Sequence, residues 1–168
     1  PACRPRCGRD PALGIRTPRH LAISVSSAGE ISELKATLKK TLEGKELQLQ
    51  ELLLFGPPPW DTVPIHVRQI HNPGGHSPPR QVASMLIDGE STASWSKFVS
   101  LNHASEGHTI LEIGLPAADT PVASYQLVTA NDNPGRDPTA WHVSRLDGGE
   151  WELVHARAGV VPPRARHA

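Results

Sequence analysis

The sequence predicts an all-β fold, a set of short antiparallel strands packed as a sandwich. Three observations predict it. Apolar and polar residues alternate over short runs such as TILEIGL (109–115) and YQLVTA (125–130), the period of a strand with one buried face. Turn formers recur along the whole chain, with 17 prolines and 14 glycines in 168 residues. The runs WHVSRL and WELV flank Asp147-Gly148-Gly149-Glu150, which reads as a hairpin around a tight turn. Roughly six to eight such strands with little helix point to an antiparallel sandwich with an aromatic and aliphatic core. No internal repeat is evident.

Taken in order, residues 1–20 are a basic arm. Arg4, Arg6, Arg9, Arg16 and Arg19 face Asp10 alone, and no periodicity is present. Cys3 and Cys7 lie in this arm. Without a further cysteine or a close histidine, their CxxxC spacing is a weak signal of zinc or a disulfide, and incidental residues in an unstructured arm are the plainer reading. LAISV (21–25) reads as a short strand. Ile31, Leu34, Leu38 and Leu42 recur at helical spacing, yet Leu34, Ala36 and Leu38 also alternate, so 31–42 is open to helix or strand. ELQLQELLLF (46–55) alternates, then shifts register after Leu49, as a β-bulge would require. Gly56 and three prolines end it, with Trp60 next and TVPIHVRQI (62–70) as a further extended piece.

Residues 71–81 read as loop. VASMLIDG is a short apolar turn closing on Asp88-Gly89. Trp95 and Phe98 are expected core aromatics. TILEIGL places Leu111, Ile113 and Leu115 on one side. After YQLVTA comes Asn131-Asp132-Asn133-Pro134-Gly135, where short polar side chains bond their own backbone and Gly135 can take a positive φ. In the hairpin, Trp141 and Val143 are expected to share a face with Trp151 and Leu153. Residues 155–168 are loop-like.

Charge and motifs narrow the function classes. Lysine and arginine total 17, as do aspartate and glutamate. Outside the arm, 12 basic and 16 acidic side chains remain, so the folded part has no cationic face for nucleic acid. No apolar run approaches the length of a membrane span. The chain begins with Pro1 and not Met, which fits a processed N-terminus or a fragment. No GxSxG, HExxH, phosphate-cradling loop or CxxC is present, and no two carboxylates are brought together by spacing, so the reading is non-catalytic.

The order LIDGESTASW, then TILEIGL, then YQLVTANDNPGRDPTAWHVSRLDGGEWELV resembles the galactose-binding-like sandwich family. That family includes discoidin domains, coagulation-factor type C domains and related carbohydrate-binding modules. The RDPxxW segment after TAND carries most of the likeness, and ELQLQELLLFG resembles an early strand of the family. The resemblance covers roughly 33–168, with residues 21–168 as the domain. It implies an antiparallel jelly roll, a strand at LKATLKKT, and an extracellular setting. Two departures stand out. SRLDG (144–148) replaces the usual "GSnDG", and nothing after VPPRARHA matches the family's last strand, which would leave a sheet edge open.

The resemblance also implies chemistry. Asp88 and Thr92 lie where the family often holds a structural Ca²⁺, an ion that draws oxygens from tight acidic turns. The plainer role of Asp88 is to cap its turn. Asn131 and Arg136 lie in loops that contact ligand in sugar-binding relatives. Arg136 is equally suited to lock its own loop through a carboxylate such as Asp132 or Asp137. Trp60 offers a stacking face for a sugar ring, or a plug for one end of the sandwich. His71/His76 and His103/His108 are spaced like metal pairs, but in loops where histidines are commonly just solvated. The expectation is a non-catalytic module binding a glycan through loops at one end. The alternative is a protein-interaction subunit that docks a larger complex through the open edge.

Overall fold

The computed structural model describes residues 21–22, 32–90, 92, 95–118 and 120–167. The basic arm with Cys3 and Cys7 lies outside the described residues, as does LAISV beyond its first two positions. The chain is mostly β, and the strand pairs are antiparallel. The described strands are β1 (Leu21–Ala22), β2 (Glu33–Thr41), β3 (Leu47–Leu49), β4 (Glu51–Phe55), β5 (Gln69–His71), β6 (Phe98–Ser100), β7 (Thr109–Gly114), β8 (Ser124–Val128), β9 (Pro138–Asp147) and β10 (Glu150–Arg157). One sheet runs β10-β9-β2-β7-β5, a second runs β1-β8-β4, and β3 pairs with β6 alone. A single helical turn, α1 (His103–Glu106), precedes β7.

The alternation read in the sequence builds the core. Leu34, Ala36 and Leu38 of β2, Leu111 and Ile113 of β7, and Trp141 and Val143 of β9 turn inward from the larger sheet. They meet Leu52 and Leu54 of β4 and Tyr125 of β8 in one buried cluster. Each of the larger aliphatic side chains contributes about 1.5–3 kcal/mol on leaving water. Inside, the Trp141 indole N–H donates to the Tyr125 hydroxyl at 2.6 Å, and that hydroxyl lies 2.6 Å from Nδ1 of His155. Burial pushes Tyr125 up to about 12, and burial, with Arg157 nearby, pushes His155 down. A neutral imidazole accepting the phenol proton satisfies all three groups.

Residues 33–41, open to helix or strand on spacing alone, are the strand that the resemblance implied: both neighbours pair with it over six or more positions, and tertiary pairing overrides the helical spacing. Other expectations are corrected. The register shift near Gln50 is a parting of ways instead of a bulge in one ladder: β3 pairs β6, while β4 pairs β8. Trp95 is 66% exposed, whereas Phe98 is fully buried. The strand begins only at Phe98, and the position after Trp95 turns a serine inward to Asp88. Trp151 pairs Leu146 and Leu153 pairs Ser144, so both lie on the outer face, away from Trp141 and Val143. A shift after Leu153 then sets His155 opposite Val143, and it is His155 that reaches the core. Lys35 lies 3.9 Å over the Trp151 ring, so the outer aromatic is covered by a cation. Gly148 and Gly149 both take positive φ, as a two-residue hairpin turn requires. Gly135 does not; it matters because an added Cβ would lie 2.3 Å from Cδ of Glu43.

The loops divide between two ends. Where β2 and β8 stop and β7 and β9 begin, segments 42–46, 72–77, 101–108 and 129–137 gather. They are tied by Leu42 N to Asp137 O (3.0 Å), Glu43 N to Gly135 O (2.9 Å) and Leu101 N to His76 O (2.8 Å). Segments 56–68, 115–118 and 120–123 sit at the opposite end, joined by Arg68 N to Gly114 O and Ala123 N to Phe55 O. Asp137 is fully buried, and Arg166 grips it with two hydrogen bonds of 2.6 and 2.9 Å. Replacing Arg166 by Met leaves that carboxylate buried without its cation, an expected loss of about 2–4 kcal/mol in urea unfolding. Adding Asp137→Asn to Arg166→Met is expected to restore part of it; equal or greater loss in the double variant would show that the pair is not the cause.

Candidate functional site

The expected ligand residues do not converge. Trp60 is 68% exposed in the segment that leaves Phe55, at the end of β4 opposite Ser124. Asn131 and Arg136 follow Val128, at the far end of the same strand pair. The two sets therefore occupy opposite ends of the molecule.

The polar groups of the 131–137 loop are largely engaged by the protein itself. The Lys97 ammonium, buried to within 6% exposure, donates to Asn131 Oδ1 at 3.1 Å and to Asp132 at 2.5 Å. Burial, the largest single influence, raises the Asp132 carboxyl, but the hydrogen bond and charge of Lys97 together with the Asn133 backbone and Gln48 outweigh it and hold the group below the usual range. Buried Gln48 donates to the Asn133 carbonyl at 2.7 Å, and Asn133 caps Gly135 N at 3.0 Å. Arg136 lies 3.3 Å from Glu46, close in charge but not aligned for a hydrogen bond, and touches neither Asp132 nor Asp137 as an ion pair. The partner of Asp137, Arg166, was not singled out in the sequence; only a buried carboxylate in want of a cation would have pointed to it.

Of the four paired histidines, His103 is not a solvated loop residue. It is buried on α1, with Nδ1 2.8 Å from Thr109 Oγ1, and burial and nearby His108 lower its pKa. His71 and His76 instead line an open cavity of about 550 Å³ with Ile70, Asn72, Val82 and Ser84. Its wall is held from behind. Asn102 accepts from His76 N and donates to Gly74 O, both at 3.1 Å. The Asn72 amide packs where a Cβ on Gly75 would stand, 1.7 Å from Nδ2, and that Nδ2 has no partner among the described residues. A second groove of about 260 Å³ runs between Lys39–Thr41 with Gly44 and the α1 turn.

The turn after the 3₁₀ helix Ala83–Ile87 holds the expected calcium residues. Asp88 Oδ1 accepts from Glu90 N at 2.9 Å, and Oδ2 accepts from Ser96 Oγ, which is the capping role. Thr92 is exposed on the same loop. Sequence reasoning missed Glu51, which begins β4. It is 1% exposed, and its Oε1 has no hydrogen-bond partner. Burial, then Asp88 and Glu90, push its pKa up to about 7. The Gln50 amide donates to the carbonyls of both Glu90 and Ser96, so those oxygens converge beside it. An orphaned buried carboxylate among acidic and carbonyl oxygens fits a hard cation. Among the described residues no three Asp, Glu, His or Cys side chains form a ligand set, so backbone oxygens would supply much of the coordination.

Comparison with protein-family models, with curated proteins and with solved structures finds no match to this chain. Among the described residues no helix is long and apolar enough to cross a membrane.

Glu51 has a signed consequence for stability. Its folded pKa exceeds 4.5, so between 4.5 and about 7 the folded state holds a proton that the unfolded state has released. This stabilising contribution is complete below 4.5 and is lost as pH rises to 7. In metal-free buffer the expected loss is on the order of 1–3 kcal/mol. Buried His103 acts in the opposite sense, so the measurement is the difference between wild type and Glu51→Gln in urea midpoint against pH. Parallel profiles would rule the assignment out.

Proposed function

We propose that this chain is a non-catalytic jelly-roll module that binds a glycan through the loops at the Asp137 end. The observation that carries the reading is the cavity beside His71 and His76. Its lining of Ile70, Val82 and Ala83 suits the apolar face of a sugar ring, and His71, His76, Ser77 and Ser84, with Asn72 alongside, offer imidazoles and hydroxyls to sugar hydroxyls. The wall is fixed in advance by Asn102, which lowers the ordering cost of binding. Such a shallow site binds weakly alone and gains strength through avidity. Two sheets sharing one core support the jelly-roll architecture. Trp60 belongs to the other end and is a separate exposed face in this reading.

Calcium belongs to the same proposal. Glu51 and Asp88 would hold it, with the carbonyls of Glu90 and Ser96 and with Thr92 nearby. Bound there, the ion supplies the positive charge that a buried glutamate lacks, and so fixes the 88–96 loop against β4.

A second reading, docking of a partner protein, is favoured by β10. It is the edge of the five-stranded sheet, and Leu153 on it is 57% exposed.

Two measurements test the proposal. On a glycan array the protein is expected to retain a defined set of sugars, and Asn72→Ala with His76→Ala is expected to weaken the best of them about tenfold. A blank array with a stoichiometric co-purifying protein would transfer the function to β10. Calcium at a hundredfold excess over its Kd is expected to raise Tm by about 5 °C or more. Glu51→Gln should abolish that rise, and a rise that survives the substitution would place the ion elsewhere.

A further inference from the structure

The groove beside β2 is built differently from the cavity, and a break in the strand builds it. Leu34, Ala36 and Leu38 point inward in turn, but Lys39 and Lys40 are both exposed and Thr41 is buried again. The register shows why. Leu38 pairs Trp141, and Lys40 pairs Ala140, so Lys39 is an extra residue with no partner on β9. The next step, Lys40 to Thr41, skips Thr139 on the facing strand and restores the ladder. Without the bulge, consecutive lysines would point to opposite faces of the sheet. With it, both line one groove of about 260 Å³, together with Thr41, Gly44, His103 and Gly107.

That arrangement has an unbalanced charge. Lys39 and Lys40 make no ion pair among the described residues. The neighbouring acids are engaged elsewhere: Glu43 with Lys45 at 2.9 Å, Glu46 with Arg136, and Asp132 with Lys97. Glu106 accepts from Asn102 at 2.6 Å. Adjacent ammonium groups repel, and a bulge forfeits ladder pairing, so both features weigh against the free protein. An anion seated between them reverses that cost.

We propose that this groove is an anion subsite that takes the acidic substituent, sulfate or carboxylate, of a saccharide ligand. The inference rests on the glycan reading and narrows it to acidic glycans. Two compact ammonium charges without a guanidinium fork suit a small tetrahedral or planar anion held by charge and not by bidentate geometry. Gly44 and Gly107 on its edge both have positive φ, and the space beside each is open, with nothing within 4 Å of an added Cβ. The overall charge of zero, with 17 groups of each sign, argues against a polyanion such as nucleic acid as the intended partner.

The test uses the full chain with a sulfated disaccharide, a uronic-acid disaccharide and their neutral parent, by calorimetry and by amide chemical shifts. Inorganic sulfate alone is the further probe. The charged disaccharides are expected to bind about tenfold more tightly than the parent at low salt, and the gap to close as salt is raised. Lys39→Gln with Lys40→Gln should erase that gap, leave the parent's affinity unchanged and leave the free protein's Tm unlowered, since it relieves the repulsion. Lys45→Gln, whose charge is already paired, should not. The sulfated and carboxylated arms distinguish which substituent is preferred. Equal affinity for charged and neutral sugars, with shifts confined to the 71–84 cavity, overturns the subsite and leaves the glycan reading standing. Shifts at Lys40, His103 and Gly107 with sulfate, but no binding of any saccharide, overturn the glycan reading and the acidic-glycan assignment while locating an anion site in the groove.

Discussion

A carboxylate with no access to water governs how the two main sheets meet. Asp137 stands where the chain leaves the three-stranded sheet through 129–137 and enters the five-stranded one as β9. Its backbone N–H returns to Pro134 O, its carbonyl receives Leu42 N, and its side chain receives both ends of the Arg166 guanidinium. One residue thus joins the crossing loop, the turn after β2 and the segment that follows β10. A neutral side chain at that position would remove the reason for Arg166 to come in. An unpaired one would carry a buried charge that no packing offsets. The apolar core supplies most of the free energy, but it is non-directional. Directionality at this end comes from Asp137 and from Lys97, each a charge buried among fixed partners.

Much of the fold was legible because alternation reports burial directly. TILEIGL, YQLVTA and the DGGE hairpin lie where their period and turn chemistry put them. The failures share a cause: periodicity says which residues share a face only while register is unbroken. At Leu153 the ladder slips, and the inward aromatic on β10 becomes His155 and not Trp151. At Gln50 the change of parity reflects a change of partner strand, which no local pattern encodes. Trp95 shows the limit of residue type alone, since large aromatics are highly buried on average yet this one precedes its strand.

The candidate sites were legible only in part, for a related reason. Asn131, Arg136 and Asp88 stand out in sequence because they sit among turn formers, and turn formers are also what a self-bonding loop needs. In the structure Asp88 caps its own turn, Asn131 is taken by Lys97, and Arg136 stands beside Glu46. Residues whose polar atoms are left over are quieter in sequence: Asn72 in a run of loop residues, Glu51 in an apolar strand, Lys39 and Lys40 in an ordinary charged stretch. Only coordinates reveal that their hydrogen bonds or countercharges are missing. Legibility therefore favours the residues that complete the fold over those that remain available to a ligand.

The same contrast orders the Asp137 end physically. Where 129–137 packs on 42–46, each charge has a partner, and the surface offers little to a ligand. On either side of α1 the balance changes. Towards 72–77, an amide donor is buried without an acceptor; towards β2, two ammonium groups lack an anion. Unsatisfied groups cost stability in the free protein, so their persistence beside a tightly satisfied knot is a difference in kind and not a general looseness of the loops. Asn102 shows how the two coexist. It begins the turn that leads to α1 and ties the 74–76 backbone of the cavity wall to that turn with both its amide groups. A lining held in place before any ligand arrives lowers the ordering cost of binding, and that is the physical ground on which binding, in preference to catalysis, is proposed for this end.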